Sequence, residues 1–368
     1  MNTKKELILF MPFIGGGGVE KNLFILSNYL SKKFKKITIC TGSINKKKKF
    51  DKRIKFLTTS KKVPEYLNIR LKYLISLFVL FKYLLNNKDV VVFSFQANIY
   101  CILVCKVFRI KIIVRSNSSP SGWYHNFIKK YLYKKIISLA DKIIVNSYDF
   151  KKEMESRFQI KVKCIYNPLN KKEIIKRSKK IINDKFYNEG FKIINIGRLT
   201  EQKDQITILR AINIIKNKIK IRLVILGNGI LKKKLLNYIA ENNLYKIVKL
   251  YKFKENPYPY ILRSNLFILS SKYEGLPNVL LEAASLKKPI ISSKCPTGPT
   301  EILDNGKGGL LFKIGDHKEL AKKILFAYKN KAKLSKKISY TYNNLYKYDF
   351  KKNIDNYVDV LKPYLISK

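Results

Sequence analysis

Short apolar runs alternate with stretches of helical periodicity along most of this chain, and that alternation leaves few folds open. Candidate strands are Glu6–Met11, Ile37–Thr41, Ile54–Thr58, Val90–Ser94, Ile112–Arg115, Lys142–Asn146 and Lys163–Tyr166. Between them Val19, Leu23, Leu26 and Leu30 recur at helical spacing, and helices are predicted over Tyr66–Asn86, Ile99–Val107, Tyr124–Leu139 and Tyr148–Phe158. Strand, helix and strand in regular succession build a parallel sheet with crossover helices. A second series opens at Phe191 and continues with strands Arg222–Leu226, Val248–Phe253, Leu266–Ser270, Pro289–Ser293 and Gly309–Phe312.

Length agrees with two such series: 368 residues are enough for two ordinary domains, each with its own core. The expected domains span residues 1–170 and 190–345, with the polar stretch Asn170–Gly190 as their connection. Five cysteines without a CxxC pair, and only His125 and His317, give no credible zinc site. Reduced thiols in a cytosolic protein are the simple reading. The formal charge of +51 raises nucleic acid or an anionic membrane as partner. Residues 1–170 carry 34 Lys/Arg against 9 Asp/Glu, and the remainder 42 against 16, so the excess is spread evenly. A nucleic-acid interface would concentrate it with interleaved aromatics. The run Leu71–Leu85 is short for a membrane span and carries Lys72 and Lys82. The amino terminus reads as a buried first strand followed by a glycine loop, and no targeting segment is expected.

The chemistry is most legible from Ser270 to Glu282, SSKYEGLPNVLLE. An apolar strand ends there, Gly275 and Pro277 make a turn, and a helix follows. A helix start offers unpaired N–H groups and the positive end of a dipole, which suits a phosphate. Glu274 and Glu282 would repel that anion and so fit hydroxyl groups. A nucleotide-sugar has phosphates in its middle and hydroxyls at both ends.

The spacing of these two glutamates resembles the E-(seven residues)-E signature of family 4 glycosyltransferases. GRLTEQKD at Gly197–Asp204, GNG at Gly227–Gly229, CPTGPTEIL at Cys295–Leu303 and GGLLFKIGD at Gly308–Asp316 resemble family segments in the family's order. The resemblance implies the GT-B fold: α/β, two doubly wound Rossmann-like domains facing each other across a cleft, with a last helix, residues 346–368, returning to the first domain. It implies a retaining, metal-independent glycosyltransferase with Glu274, Arg198 and Lys203 as its catalytic residues. The nucleotide-sugar donor would meet Gly16, Gly17, Gly18, Gly197, Gly227, Phe253, Gly275, Leu276, Pro277 and Asn278, with Glu282 on the ribose. The glycine loop at 15–18 could on its own be a flexible turn or an anion cradle, and the resemblance favours the cradle. No metal and no cofactor are implied, the nucleotide-sugar being a co-substrate.

Two departures stand out. Lys252 occupies a place where the family often has Gly. Many relatives carry a His after the strand corresponding to Ile112–Arg115, whereas this chain has Asn117 there and His125 eight residues later. Either His125 supports the acceptor side, or no His is used. The resemblance is closest to bacterial lipopolysaccharide, O-antigen and capsule enzymes. The expected donor is a UDP-hexose or UDP-N-acetylhexosamine, with GDP-mannose as the alternative. The expected acceptor is a glycan or polyprenyl-linked glycan, and the expected location is the cytoplasmic face of the inner membrane, held peripherally. A GT-B epimerase or phosphorylase, and a nucleic-acid-binding protein, are the readings from other classes.

Overall fold

The computed structural model describes residues 4–15, 17–42, 49–59, 68–117 and 127–366, with Ile69 and Phe127 described by backbone alone. It separates into two compact units, Met1–Pro168 with Lys351–Lys368, and Leu169–Phe350. The first unit holds strands β1 (Glu6–Phe10), β2 (Ile37–Cys40), β3 (Lys55–Leu57), β4 (Val90–Ser94), β5 (Lys111–Ser116), β6 (Lys142–Val145) and β7 (Lys163–Cys164). They form one sheet in the order β3-β2-β1-β4-β5-β6-β7, all neighbours parallel. The second unit holds β8 (Phe191–Ile196), β9 (Ile221–Leu226), β10 (Val248–Tyr251), β11 (Leu266–Leu269), β12 (Ile290–Ser293) and β13 (Leu310–Phe312). Its order is β10-β9-β8-β11-β12-β13, again all parallel. The central strands are buried on both faces, so β4 and β11 read as continuous apolar runs rather than alternating ones.

In the first unit, helices Ile69–Asn86, Asn98–Val107, Phe127–Ile137 and Tyr148–Phe158 share one buried cluster with the sheet, through Leu80, Cys105, Ile137 and Phe150. Helix Gly18–Leu30 meets the helix Phe350–Leu365 through Tyr29 Oη, which donates to Asp355 Oδ1 at 2.8 Å. Ile354, Tyr357, Leu361 and Leu365 of that last helix are buried, and the Tyr357 ring lies 6.1 Å from that of Phe93 in β4. Arg115 at the end of β5 is fully buried. Its guanidinium donates to Tyr357 Oη at 2.9 Å and to the side-chain oxygens of Asn117 and Asn167.

Two expectations are corrected. Asn170–Gly190 is not a plain connection: it holds helix Lys171–Ser178 and a short 3-10 turn at Lys185–Tyr187. Asn170 caps that helix, its side chain accepting from Glu173 N at 3.0 Å. The last helix starts later than the expected residue 346: Asn344–Tyr348 form a 3-10 stretch and the helix runs Phe350–Leu365, with Leu169 N donating to Tyr348 O at 2.9 Å. Strand ends differ from expectation by one or two residues, and the part of the Tyr66–Asn86 helix before residue 68 lies outside the described residues.

The cysteines are unpaired; Cys40, Cys101, Cys105 and Cys295 are buried and Cys164 is half-buried. Burial, aided by the nearby Glu274 charge, pushes the Cys295 thiol up to about 12. Because the thiolate is the nucleophile, iodoacetamide at pH 8 should alkylate Cys164 in the native protein and leave Cys295 intact, with all five reacting after denaturation. Mass spectrometry of peptides decides it. Prompt loss of Cys295 would mean that the Cys295–Gly298 loop opens.

Candidate functional site

In an open parallel sheet, ligands bind beyond the carboxyl ends of the strands, where the strand order reverses. In the second unit that point lies between β8 and β11, which are adjacent but not consecutive. Gly197 follows β8 directly, and Glu274 stands five residues beyond β11. The two expected clusters therefore converge on one place.

The loop after β8 carries Arg198 and Lys203. Ser270 Oγ donates to the Lys203 carbonyl at 2.8 Å, and Lys203 Nζ forms an ion pair with Glu274. Both partners are largely buried, with side chains 16% and 8% exposed. Ser271 Oγ gives Glu274 Oε1 a second donor at 2.6 Å. Arg198 is exposed; Nη2 reaches Gln202 Oε1 at 3.3 Å, and Gln205 Nε2 donates to the Arg198 carbonyl at 3.0 Å. Gln202 Nε2 also donates to the Tyr273 carbonyl at 3.0 Å, and Lys272 N donates to the Gln202 carbonyl at 2.8 Å. Gln202 thus ties the cation loop to the glutamate loop. Gln202, Gln205, Ser271 and Thr297 went unnoticed as site residues in the sequence, since their roles depend on contacts between segments about 70 or more residues apart, or on loop geometry that no spacing encodes.

The turn Gly275–Pro277 is buried, and helix Asn278–Ser285 begins directly after it. Pro277 sits at the N-cap, one position earlier than the first turn. Thr297 Oγ1 donates to the Glu274 carbonyl at 2.8 Å, and Glu274 N donates to the Pro296 carbonyl at 3.3 Å. Gly298 lies at φ +67°, and a Cβ there would overlap the Gly275 carbonyl oxygen. Only glycine permits that approach. Glu282 is buried on the same helix, 5% exposed.

Gly197, Gly227 and Phe253 line the neighbouring strand ends. Gly197 N donates to Leu226 O and Gly227 N to Tyr251 O, each at 3.0 Å, while Phe253 N donates to Asn228 Oδ1 at 3.2 Å. A Cβ on Gly227 would overlap the Gly197 carbonyl oxygen, so the loops after β8 and β9 touch through backbone. Phe253 is 47% exposed.

The other expected residues belong to the first unit. Gly17 caps helix Gly18–Leu30 at an ordinary φ of −85°. The Glu20 carboxylate lies against Gly15 and Gly17, so a negative side chain already sits at this helix start. Asn117 has both side-chain atoms engaged: Oδ1 accepts from Arg115 and Nδ2 donates to the Phe95 carbonyl at 2.6 Å. It joins the ends of β4 and β5. Gly16 and His125 lie outside the described residues. Among the described residues, no three His, Cys, Asp or Glu side chains gather as a metal site.

Comparison with known proteins bears on the family and the fold. Residues 176–344 match the model for glycosyl transferases group 1, and residues 16–173 match the model for glycosyltransferase family 4. The uncharacterized glycosyltransferase MJ1059 of Methanocaldococcus jannaschii is 38% identical over 55% of this chain, a match spanning about half (53%) of that protein's length. A Campylobacter jejuni enzyme named N-acetylgalactosamine-N,N'-diacetylbacillosaminyl-diphospho-undecaprenol 4-alpha-N-acetylgalactosaminyltransferase is 29% identical over 89% of this chain and 94% of its own. Anabaena HepE, solved in complex with UDP-glucose, superposes with a TM-score of 0.80 at 15% identity, over 97% of this chain and 99% of that one. That likeness shows the fold, GT-B, built from two Rossmann-like units. With both units matched in order from residue 16 to residue 344, the chain belongs to family 4 of the glycosyltransferases.

Proposed function

We propose that this glycosyltransferase moves a hexose or N-acetylhexosamine from a UDP-sugar to a hydroxyl of a lipid-linked glycan in cell-surface polysaccharide synthesis. Transfer would retain the anomeric configuration and need no metal. The carrying observation is the Lys203–Glu274 pair at the β8/β11 switch point, with the exposed Arg198 beside it. A diphosphate entering there meets a guanidinium suited to bidentate binding and an ammonium. As the glycosidic bond breaks, negative charge grows on the diphosphate, and these two cations stabilise it where a metal otherwise would. Lys203 then shares its charge with the phosphate, and Glu274 turns towards the donor sugar hydroxyls. Glu282, one turn into its helix, takes the ribose. The lipid-linked acceptor follows the Campylobacter relative's substrate, and it would hold the protein at the cytoplasmic membrane surface. The UDP preference follows the HepE complex.

The test is steady-state transfer from a panel of UDP-sugars to an undecaprenyl-diphosphate glycan, with and without EDTA. Charge-assisted hydrogen bonds contribute about 1.5–3 kcal/mol each. Arg198→Ala should therefore lower kcat/KM at least roughly tenfold, mostly in kcat, because the interaction strengthens as charge develops. Glu282→Ala should raise the donor KM and spare kcat. Lys233→Ala, an exposed charge elsewhere in the second unit, serves as control. Loss of wild-type activity in EDTA, or an Arg198→Ala enzyme matching Lys233→Ala, would sink the assignment.

A further inference from the structure

Arg198 and Lys203 are held in different ways. Lys203 is largely buried, and its ammonium already has a carboxylate, Glu274. Arg198 is exposed, and among the described residues of the second unit no Asp or Glu pairs with it. Glu201, the acid nearest to it in sequence, turns to Lys234 and Lys272 at 3.7 Å each. Amides take the place of a counter-charge. Gln205 Nε2 donates to the Arg198 carbonyl at 3.0 Å and fixes its backbone. Gln205 is 1% exposed, and its Oε1 is buried without a partner among the described residues, so this amide is kept at a cost in stability. Gln202 Oε1 holds the other end, accepting from Arg198 Nη2 at 3.3 Å.

A long exposed side chain samples many rotamers, and ordering it costs entropy. A guanidinium is a rigid fork of N–H donors, so one bond to Gln202 leaves most of the fork free for a ligand. A carboxylate at residue 202 would grip the fork more strongly, but it would cancel the charge. A neutral amide orients without cancelling. Gln202 is itself anchored on its far side. Its Nε2 donates to the Tyr273 carbonyl at 3.0 Å, and its own carbonyl accepts from Lys272 N at 2.8 Å. Tyr273 directly precedes Glu274. One side chain therefore keeps the guanidinium in register with the loop that carries the carboxylate. We infer that Gln202 is a positioning residue for transfer: its amide holds the Arg198 guanidinium against the Glu274 loop while leaving the arginine's charge uncancelled. This role rests on the diphosphate contact proposed for Arg198.

Steady-state transfer from the UDP-sugar that the wild type uses best tests it, with Gln202→Met, Gln202→Glu, Arg198→Ala and the double variant Arg198→Ala/Gln202→Met. Methionine keeps the length of the side chain and removes both amide bonds. Gln202→Met should lower kcat roughly tenfold, since a misplaced group fails mostly in the transition state, and should leave the donor KM within about twofold. Made on Arg198→Ala, the same change should cost about twofold or less, because the group it positions is gone. Gln202→Glu keeps the shape and an acceptor but pairs with Arg198, so it should lose at least as much kcat as Gln202→Met. Glu201→Gln next door should behave as wild type, since exposed ion pairs contribute little. A Gln202→Met loss of equal size in both backgrounds would mean that the side chain serves only the loop, and overturns the inference. A Gln202→Glu enzyme with wild-type kcat overturns it as well. Arg198→Ala with wild-type kinetics would remove the diphosphate reading and this role together. An impaired Arg198→Ala beside an unimpaired Gln202→Met removes this role alone.

Discussion

Lys203→Ala should lose roughly a hundredfold or more in kcat/KM and about 3–5 kcal/mol of stability. The two losses have separate origins. Activity falls, under the proposed function, because the cation assigned to the leaving diphosphate is gone. Stability falls because Glu274 is left buried, with Ser271 Oγ as its remaining side-chain donor among those described. Truncating one partner of a buried pair strands the other charge. Glu274→Gln in the same background should restore stability by removing that stranded charge, yet leave activity low. Denaturant melts of both variants with steady-state kinetics read the two effects apart. A Lys203→Ala protein that melts like wild type would mean the pair carries no burden in the empty site.

Gly298→Ala should be nearly as damaging, for a steric reason. Its φ of +67° strains any L side chain, and the added Cβ would overlap the Gly275 carbonyl oxygen. A carbonyl in a turn cannot swing away as a flexible side chain can. The Gly275–Asn278 loop must move, and with it the N–H groups that the resemblance assigns to the donor. Backbone strain and overpacking each cost about 1–3 kcal/mol. Gly315→Ala separates them, since Gly315 has φ +77° and nothing within 4 Å of its would-be Cβ. Gly298→Ala should melt clearly below Gly315→Ala and lose at least roughly tenfold in donor affinity, while Gly315→Ala binds donor normally. Equal melting and equal donor binding in the two variants would remove the loop-on-loop contact from the argument.

Much of this was legible before any coordinates. Parallel strands buried on both faces announce themselves as apolar runs, and β4 and helix Tyr148–Phe158 have the expected bounds to the residue. Helix Lys171–Ser178 was missed because its composition is polar and its length is eight residues, although Asn170 with Glu173 is a start signal for a capped helix. Arg198, Lys203 and Glu274 were legible as types at spacings. Their electrostatic state was not, because Lys203 meets Glu274 across 71 residues of chain.

The split of the first unit across the chain bears on how the protein is made. Its sheet comes from residues 1–168, but Tyr357 against Phe93 and Arg115, and the buried Ile354, Leu361 and Leu365, come from residues 351–365. The second unit, 169–350, is continuous. Translation thus delivers every piece of the second unit before the first is complete, and domains fold as units during synthesis. The half made first waits longest, with Arg115 short of its phenolic partner and one face of its sheet lacking a helix. A chain truncated after residue 350 should present a protease with a finished second unit and an unfinished first.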